Sequence, residues 1–199
     1  MVVTELIRSI TNIIIFSIIP ILYYFFTKRK HSSFFTCFGL YKPIIKSKKT
    51  FIICIILFLV FFSVSSLLID NITSDTAQFT AQQLEDKGFT ALIPAIIFSF
   101  LRTGFAEELF FRGFLGKCFS RFLGFTIGNI IQAVIFGSLH GVMFISQFGF
   151  IKAFIVFSFT ALVGLSLGYI DERLSHGSIL PSWLLHGLAN MYSSLNVMF

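Results

Sequence analysis

Six long apolar runs dominate this chain of 199 residues. A helix of about 20 apolar residues crosses the hydrocarbon core of a bilayer, and each run is long enough to do so. Because lipid offers the backbone no hydrogen-bond partners, such runs must be helical. The sequence therefore predicts an all-α fold, a polytopic transmembrane helical bundle of about six spans. The runs cover approximately residues 6–26, 50–69, 90–116, 125–145, 150–170 and 178–199.

The composition excludes the common soluble classes. Charged residues make up 12% of the chain and apolar residues 56%, whereas a soluble domain is about 25% charged. A soluble globular enzyme, a disordered chain and a disulfide-stapled secreted module are all excluded. The three cysteines, Cys37, Cys54 and Cys118, lack metal-ligand spacing and cannot all pair, so we expect reduced thiols.

The net charge of +6 could indicate nucleic-acid binding, but the positions of the charges favour a membrane topology. Seven Lys or Arg residues and no acid lie in the 28–49 loop. Basic loops beside spans remain in the cytoplasm, which places the 28–49, 117–121 and 171–177 loops inside and both termini outside. The expected contact is with the lipid bilayer and not with nucleic acid. The stretch 70–87 is predicted to be a polar outer loop.

The third apolar run contains four charged residues, Arg102, Glu107, Glu108 and Arg112. Each would cost about 2.5–3.5 kcal/mol at the centre of a span. They must therefore face a protein interior or a water-filled cavity, which makes them candidates for a functional site. Glu108 and Arg112 are spaced i, i+4 and are predicted to pair. Glu107 is rotated about 100° from Glu108, so it is expected to be free to act on a substrate.

Two histidines lie in other apolar runs, His140 in the fourth and His186 in the sixth, where Asn190 follows one turn later. From the rise per residue, these groups and Glu107 lie about 12–22 Å from the cytoplasmic ends of their spans. We therefore expect a polar cavity in the inner half of the membrane. A carboxylate and an imidazole can deprotonate one water, and a second imidazole with an amide can bind the resulting oxyanion. The set predicts amide hydrolysis by activated water, with a purely structural polar network as the alternative.

The signatures of other intramembrane hydrolases do not occur in the sequence. It has no H-E-x-x-H zinc motif, no G-x-S-x-G serine motif and no paired aspartates in facing spans. The sequence contains three short motifs, which follow one another within about residues 90–195. They are Glu107-Glu108-Leu109-Phe110-Phe111-Arg112 (EExxxR), Phe136-Gly137-Ser138-Leu139-His140 (FxxxH) and His186-Gly187-Leu188-Ala189-Asn190 (HxxxN).

These motifs resemble those of the CPBP family, the CAAX proteases and bacteriocin-processing (Abi) membrane proteins. The resemblance implies a helical intramembrane protease whose cavity is open to the cytoplasm. It further implies that Glu107 and His140 activate water and that His186 and Asn190 bind the oxyanion. Glu108 and Arg112 would brace the site.

The motifs divide the chain into two parts of one integrated domain. Residues 90–199 would be the catalytic core. Residues 1–89, with two spans, the basic loop and the outer loop, carry no motif and are expected to contribute only topology.

The predicted substrate is a membrane-associated peptide or protein, and the family includes proteins of bacteriocin immunity and peptide processing. The Ile-, Phe- and Lys-rich composition suits a bacterial cell membrane protein. Two other functions stay open. One is a non-catalytic immunity or peptide-binding protein that uses the same cavity, and the other is a small transporter.

Metal-dependent hydrolysis is the alternative to catalysis by side chains alone, because members of the family are often described as metalloproteases. One carboxylate and two imidazoles, here Glu107, His140 and His186, could bind Zn²⁺. Metal-bound histidines usually have an orienting partner such as a carboxylate, and we expect none for either histidine. The prediction is therefore that no cofactor is required.

Overall fold

A computed structural model describes residues 1–73 and 82–199, and all regular secondary structure within them is helical. This confirms the all-α prediction, while residues 74–81 of the predicted outer loop lie outside the described residues. The helices are α1 (Val2–Lys28), α2 (Phe34–Phe38), α3 (Lys48–Thr73), α4 (Gly88–Leu123), α5 (Phe125–Ser146), α6 (Phe148–Leu174) and α7 (Leu180–Met198).

Five helices in the described part of the chain, α1 and α3 to α6, are long and apolar enough to cross a membrane. Their outward faces carry large aliphatic side chains such as Ile14, Ile18 and Leu57, each about half exposed. The protein is therefore an integral membrane protein. The sixth predicted run forms α7, which is not one of the five. Its buried face is mixed, with the polar Ser182, His186 and Ser194 beside the apolar Leu185 and Val197.

The middle of α4 has an unusual backbone. The stretches Phe98–Phe105 and Leu109–Gly116 are π-helical, and a single α-helical turn, Ala106–Glu108, separates them. π-Helical segments occur frequently at functional sites. Both adjacent glutamates, Glu107 and Glu108, lie on this one turn.

Helices α5 and α6 pack closely through small residues. A Cβ atom at Gly137 would lie 2.6 Å from the carbonyl oxygen of Phe157 and 2.8 Å from the Cβ of Ala161. At Gly164 the nearest atom would be the Cα of Ala133, at 3.2 Å. The two glycines therefore let the backbones of α5 and α6 approach closely. Because α5 is held in this way, Phe136 and His140 have fixed positions.

An ion pair joins α1 to α4. Arg102 Nη1 lies 3.2 Å from Oε1 of the buried Glu5, and Gln83 Nε2 donates to Glu5 Oε2 at 2.9 Å. Asn12 adds a bond to the carbonyl of Arg102 at 3.3 Å. Arg102 thus has a packing role at a distance from the two glutamates of α4.

The loop between α1 and α3 is bound to the turn that precedes α7. The carbonyl of Gly39 accepts a bond from Ile179 N at 2.9 Å, and Tyr41 Oη donates to the carbonyl of His176 at 2.8 Å. From α4, Lys117 contacts Glu172 Oε1 at 2.7 Å. These bonds and the Glu5 ion pair connect the N-terminal part of the chain to α4 and to the start of α7.

We expect Gly137→Val to destabilise the protein by about 1–3 kcal/mol, the usual cost of overpacking a close contact. The added side chain would collide with the backbone of α6, which cannot move aside as a flexible side chain would. Thermal unfolding in detergent, followed by circular dichroism, measures the effect. Leu139→Val, at a half-exposed position two residues away, is the control. Equal melting temperatures for the two variants would contradict this account of the α5–α6 contact.

Candidate active site

A fully buried carboxylate, Glu108, lies at the centre of the site. Its Oε1 accepts a hydrogen bond from His186 Nδ1 at 2.7 Å and lies 3.2 Å from Arg112 Nη1. The predicted Glu108–Arg112 pair is confirmed. The expectation that no carboxylate orients a histidine is wrong, because Glu108 holds His186. The sequence could not show this contact, since it joins α4 to α7 across 78 positions.

Close packing of α4 against α7 makes this contact possible. A Cβ atom at Gly104 would lie 3.6 Å from the Cα of Gly187. Trp183 Nε1 donates to the carbonyl of Phe100 at 2.6 Å. Two glycines therefore let the backbones approach, and the indole hydrogen bond adds a fixed contact one turn before His186.

Glu107 reaches the other side of the same imidazole. Its Oε2 lies 3.8 Å from His186 Nε2, so the two carboxylates lie beside opposite nitrogens of one ring. The rotation between neighbouring helical residues separates the two carboxylates as expected, yet both lie beside His186. This Oε2 is buried and has no hydrogen-bond partner among the described residues. A separation of 3.8 Å is too long for a direct bond and leaves scope for a shared water.

Phe136 of α5 is a common packing surface for three site residues. Its buried ring lies 4.3 Å beneath the guanidinium carbon of Arg112. The His140 ring centre is 4.5 Å away and the His186 ring centre 6.0 Å away. The first residue of the FxxxH motif therefore contributes a cation–π contact and places both imidazoles against one ring.

The tautomer of His140 follows from its hydrogen bond. Nδ1 lies 2.9 Å from the carbonyl oxygen of Phe136, and a carbonyl can only accept. The ring hydrogen is therefore on Nδ1, which leaves the lone pair on Nε2. His140 is partly exposed, so Nε2 is available to accept a proton.

Asn190 is bound to a residue that the sequence analysis missed. Its Nδ2 donates to Thr103 Oγ1 at 2.7 Å, and Thr103 Oγ1 donates to the carbonyl of Phe98 at 3.0 Å. An amide nitrogen carries two hydrogens, so one remains for another acceptor. Thr103 could have been found from its position four residues before Glu107, which places it near the same face of α4.

Asp171 is a second residue that the sequence analysis missed. The pattern placed it at the start of a cytoplasmic loop, but α6 continues to Leu174 and Asp171 is buried. Its Oδ1 accepts a bond from the backbone nitrogen of Ser182 at 3.2 Å, in the first turn of α7. Acidic groups at helix N-termini satisfy free N–H groups in this way. Nothing in the local sequence distinguishes it from the neighbouring, partly exposed Glu172.

The alternative metal set, Glu107, His140 and His186, comes from three different helices. Among the described residues, which include Glu107, His140 and His186, no three His, Cys, Asp or Glu side chains are close enough together to hold a metal ion.

The thiols of Cys37, Cys54 and Cys118 form no disulfide within the described part of the chain. At Cys37, which lies between spans, burial raises the pKa of the thiol.

We expect Arg112→Ala to lower stability by about 3–5 kcal/mol, because it leaves the carboxylate of Glu108 buried without its counter-charge. The control is Arg8→Ala. It removes a half-exposed arginine that lies 3.8 Å from Glu5, and a pair of that kind contributes about 0–1 kcal/mol. Thermal unfolding in detergent compares the two variants. A loss of activity in Arg112→Ala at unchanged stability would instead give Arg112 a direct catalytic role.

The comparisons with known proteins agree with the motifs. The model of the Rce1-like family, described as type II CAAX prenyl endopeptidase, matches residues 89–192, which is just over half of the chain. Comparisons with curated proteins and with solved structures give no significant match. The matched range contains the three motifs and the residues that meet around Glu108 and Phe136. The chain belongs to the Rce1-like family of type II CAAX prenyl endopeptidases.

Proposed function

We propose that this protein is an intramembrane endopeptidase that hydrolyses a peptide bond of a membrane-associated peptide or protein. The family supports a CAAX-type protease and a substrate at the membrane. The observation that carries the catalytic proposal is the buried Glu107 Oε2, which faces His186 Nε2 at 3.8 Å without a hydrogen-bond partner in the described structure. A carboxylate in this position can bind and deprotonate a water.

Glu107 and His140 activate the attacking water in this proposal. Glu107 acts as the general base, and His140, whose Nε2 carries the lone pair, accepts a second hydrogen bond from the same water. The resulting hydroxide adds to the carbonyl carbon of the substrate. Glu107 then returns the proton to the leaving amine nitrogen, so that the enzyme regains its starting state.

His186 and Asn190 bind the oxyanion that forms. In this step His186 is an imidazolium, which donates from Nδ1 to Glu108 and from Nε2 to the oxyanion, and the remaining amide hydrogen of Asn190 is the second donor. Glu108, at the opposite nitrogen of His186, fixes the ring orientation, as the buried carboxylate of a catalytic triad does. Arg112 holds Glu108 in turn. No step requires a metal, and we propose that none is needed.

The cellular setting belongs to the same proposal. We place the site in the inner half of a bacterial cell membrane with access from the cytoplasm, where the basic 28–49 loop lies. The physiological role would be peptide processing or bacteriocin immunity. A non-catalytic immunity or peptide-binding protein is the competing function.

We expect Glu107→Gln or His140→Ala to abolish cleavage, because each removes a group that polarises the water. The assay uses purified protein in liposomes with a prenylated CAAX-type peptide and the same peptide without its lipid. Glu85→Gln, outside the site, is the control and should leave cleavage unchanged. The fold of each variant is checked by its elution and melting temperature.

Full processing by both site variants would refute the proposed catalysis. An immunity phenotype that survives both changes in cells, with no cleavage by the unmodified protein, would favour the peptide-binding alternative.

We expect the purified protein, washed with a chelator, to keep its activity. The reason is that the described residues contain no group of three side chains placed to hold a metal ion. Metal analysis and cleavage assays before and after chelation provide the measurement. Stoichiometric zinc, with activity lost on chelation and restored by zinc, would overturn the metal-free mechanism.

A further inference from the structure

A small polar cavity lies between α4, α5 and α6, on the side of Arg112 that faces Asp171. Its volume is about 10 Å³, near the minimum of about 10–15 Å³ for one water. It is separate from the proposed substrate site, since neither Glu107 nor either site histidine lines it. Its lining includes four buried polar side chains, Arg112, Asn129, Gln132 and Asp171.

The guanidinium of Arg112 supplies donors. It is 3% exposed, and its Nη1 lies 3.2 Å from Glu108. None of its three nitrogens aligns an N–H on an acceptor within the described part of the chain. A buried donor without an acceptor is costly, so this group needs a partner on its cavity side.

Gln132 and Asp171 supply acceptors. Both hydrogens of Gln132 Nε2 are used, on Asn129 Oδ1 at 2.8 Å and on the carbonyl of Gly164 at 2.9 Å. This fixes the amide orientation and leaves Gln132 Oε1 without a donor among the described residues. Asp171 Oδ2 likewise has no donor among the described residues, because Ser182 N is bound to the other carboxylate oxygen, Oδ1.

We propose that this cavity is a binding site for one ordered water, through which Asp171 acts as a positioning residue for the active site. A water offers two acceptor positions and two hydrogens. It can accept from Arg112 and donate to Gln132 Oε1 and Asp171 Oδ2, so its bonding capacity matches the unpartnered groups. An anion would face the carboxylate of Asp171, and a cation would face Arg112, so neither fits the mixed lining.

In this arrangement Asp171 positions both partners of Glu108, which are Arg112 and His186. Through the water it fixes Arg112, which contacts Glu108 from within α4. Through Oδ1 it binds the first turn of α7, and His186 lies one turn further along the same helix. The Glu108–His186 bond of 2.7 Å therefore depends on a residue that touches neither the substrate nor the histidine.

The site itself is tested by a crystal structure of the wild-type protein at a resolution that shows waters. We expect one density peak at about 3 Å from Arg112, Gln132 Oε1 and Asp171 Oδ2. An ion in that position, an unfilled cavity, or Arg112 bound directly to Asp171 would overturn the proposal. This measurement needs no activity, so it stands even if the proposed protease function fails.

Asp171→Asn tests the positioning role, whose kinetic part rests on the proposed function. The change keeps the acceptor for Ser182 N but replaces the acceptor facing the water by a donor. We expect kcat to fall by about tenfold, as when partners that orient active-site histidines are removed, with KM and melting temperature unchanged. Asp86→Asn, the same change at an exposed residue that does not line the cavity, should leave kcat unchanged.

Wild-type kcat in Asp171→Asn would refute the positioning role. A fall matched by Asp86→Asn, or one explained by a lower melting temperature, would also refute it. A crystal structure of Asp171→Asn gives a second readout that is independent of substrate. The Glu108–His186 bond should lengthen or the His186 ring should turn, and an unchanged bond and ring would count against the proposal.

Discussion

The buried ion pair between Glu108 and Arg112 is the interaction on which the rest of the site depends. Two charges inside a membrane protein are stable only if each is the other's counter-charge and their remaining polar atoms are bound. Glu108 Oε1 is bound to His186 and the ring of Phe136 lies against Arg112, whereas Glu108 Oε2 and the Arg112 nitrogens have no hydrogen-bond partner among the described residues. The contacts that stabilise the ion pair therefore also determine where the imidazole of His186 and the phenyl ring of Phe136 lie.

Close helix packing supplies the geometry that this pair requires. Glycines at the α4–α7 and α5–α6 contacts let backbones approach, as small residues do in membrane bundles. A side chain such as Phe136 can then contact groups from α4 and α7 at once. The apolar outer faces are left to the lipid, and the polar groups are concentrated where the helices meet.

The N-terminal part of the chain contributes to the core although it carries no motif. Glu5 neutralises Arg102 on α4, and the loop between α1 and α3 is bound to the turn before α7. The first contact lies within α4, and the second lies at the start of α7. The position of α7, and with it His186, therefore depends on residues at both ends of the chain.

The sequence by itself determined the helical spans, because an uninterrupted apolar run has one stable form in lipid. It also determined the Glu108–Arg112 pair, since i, i+4 neighbours meet on one helix. It could not decide which residues meet across helices. That His186 lies between Glu107 and Glu108, that Thr103 binds Asn190 and that Asp171 is buried beside α7 follow only from the tertiary structure. These contacts depend on the rotation and depth of whole helices, which packing sets and which no local pattern contains.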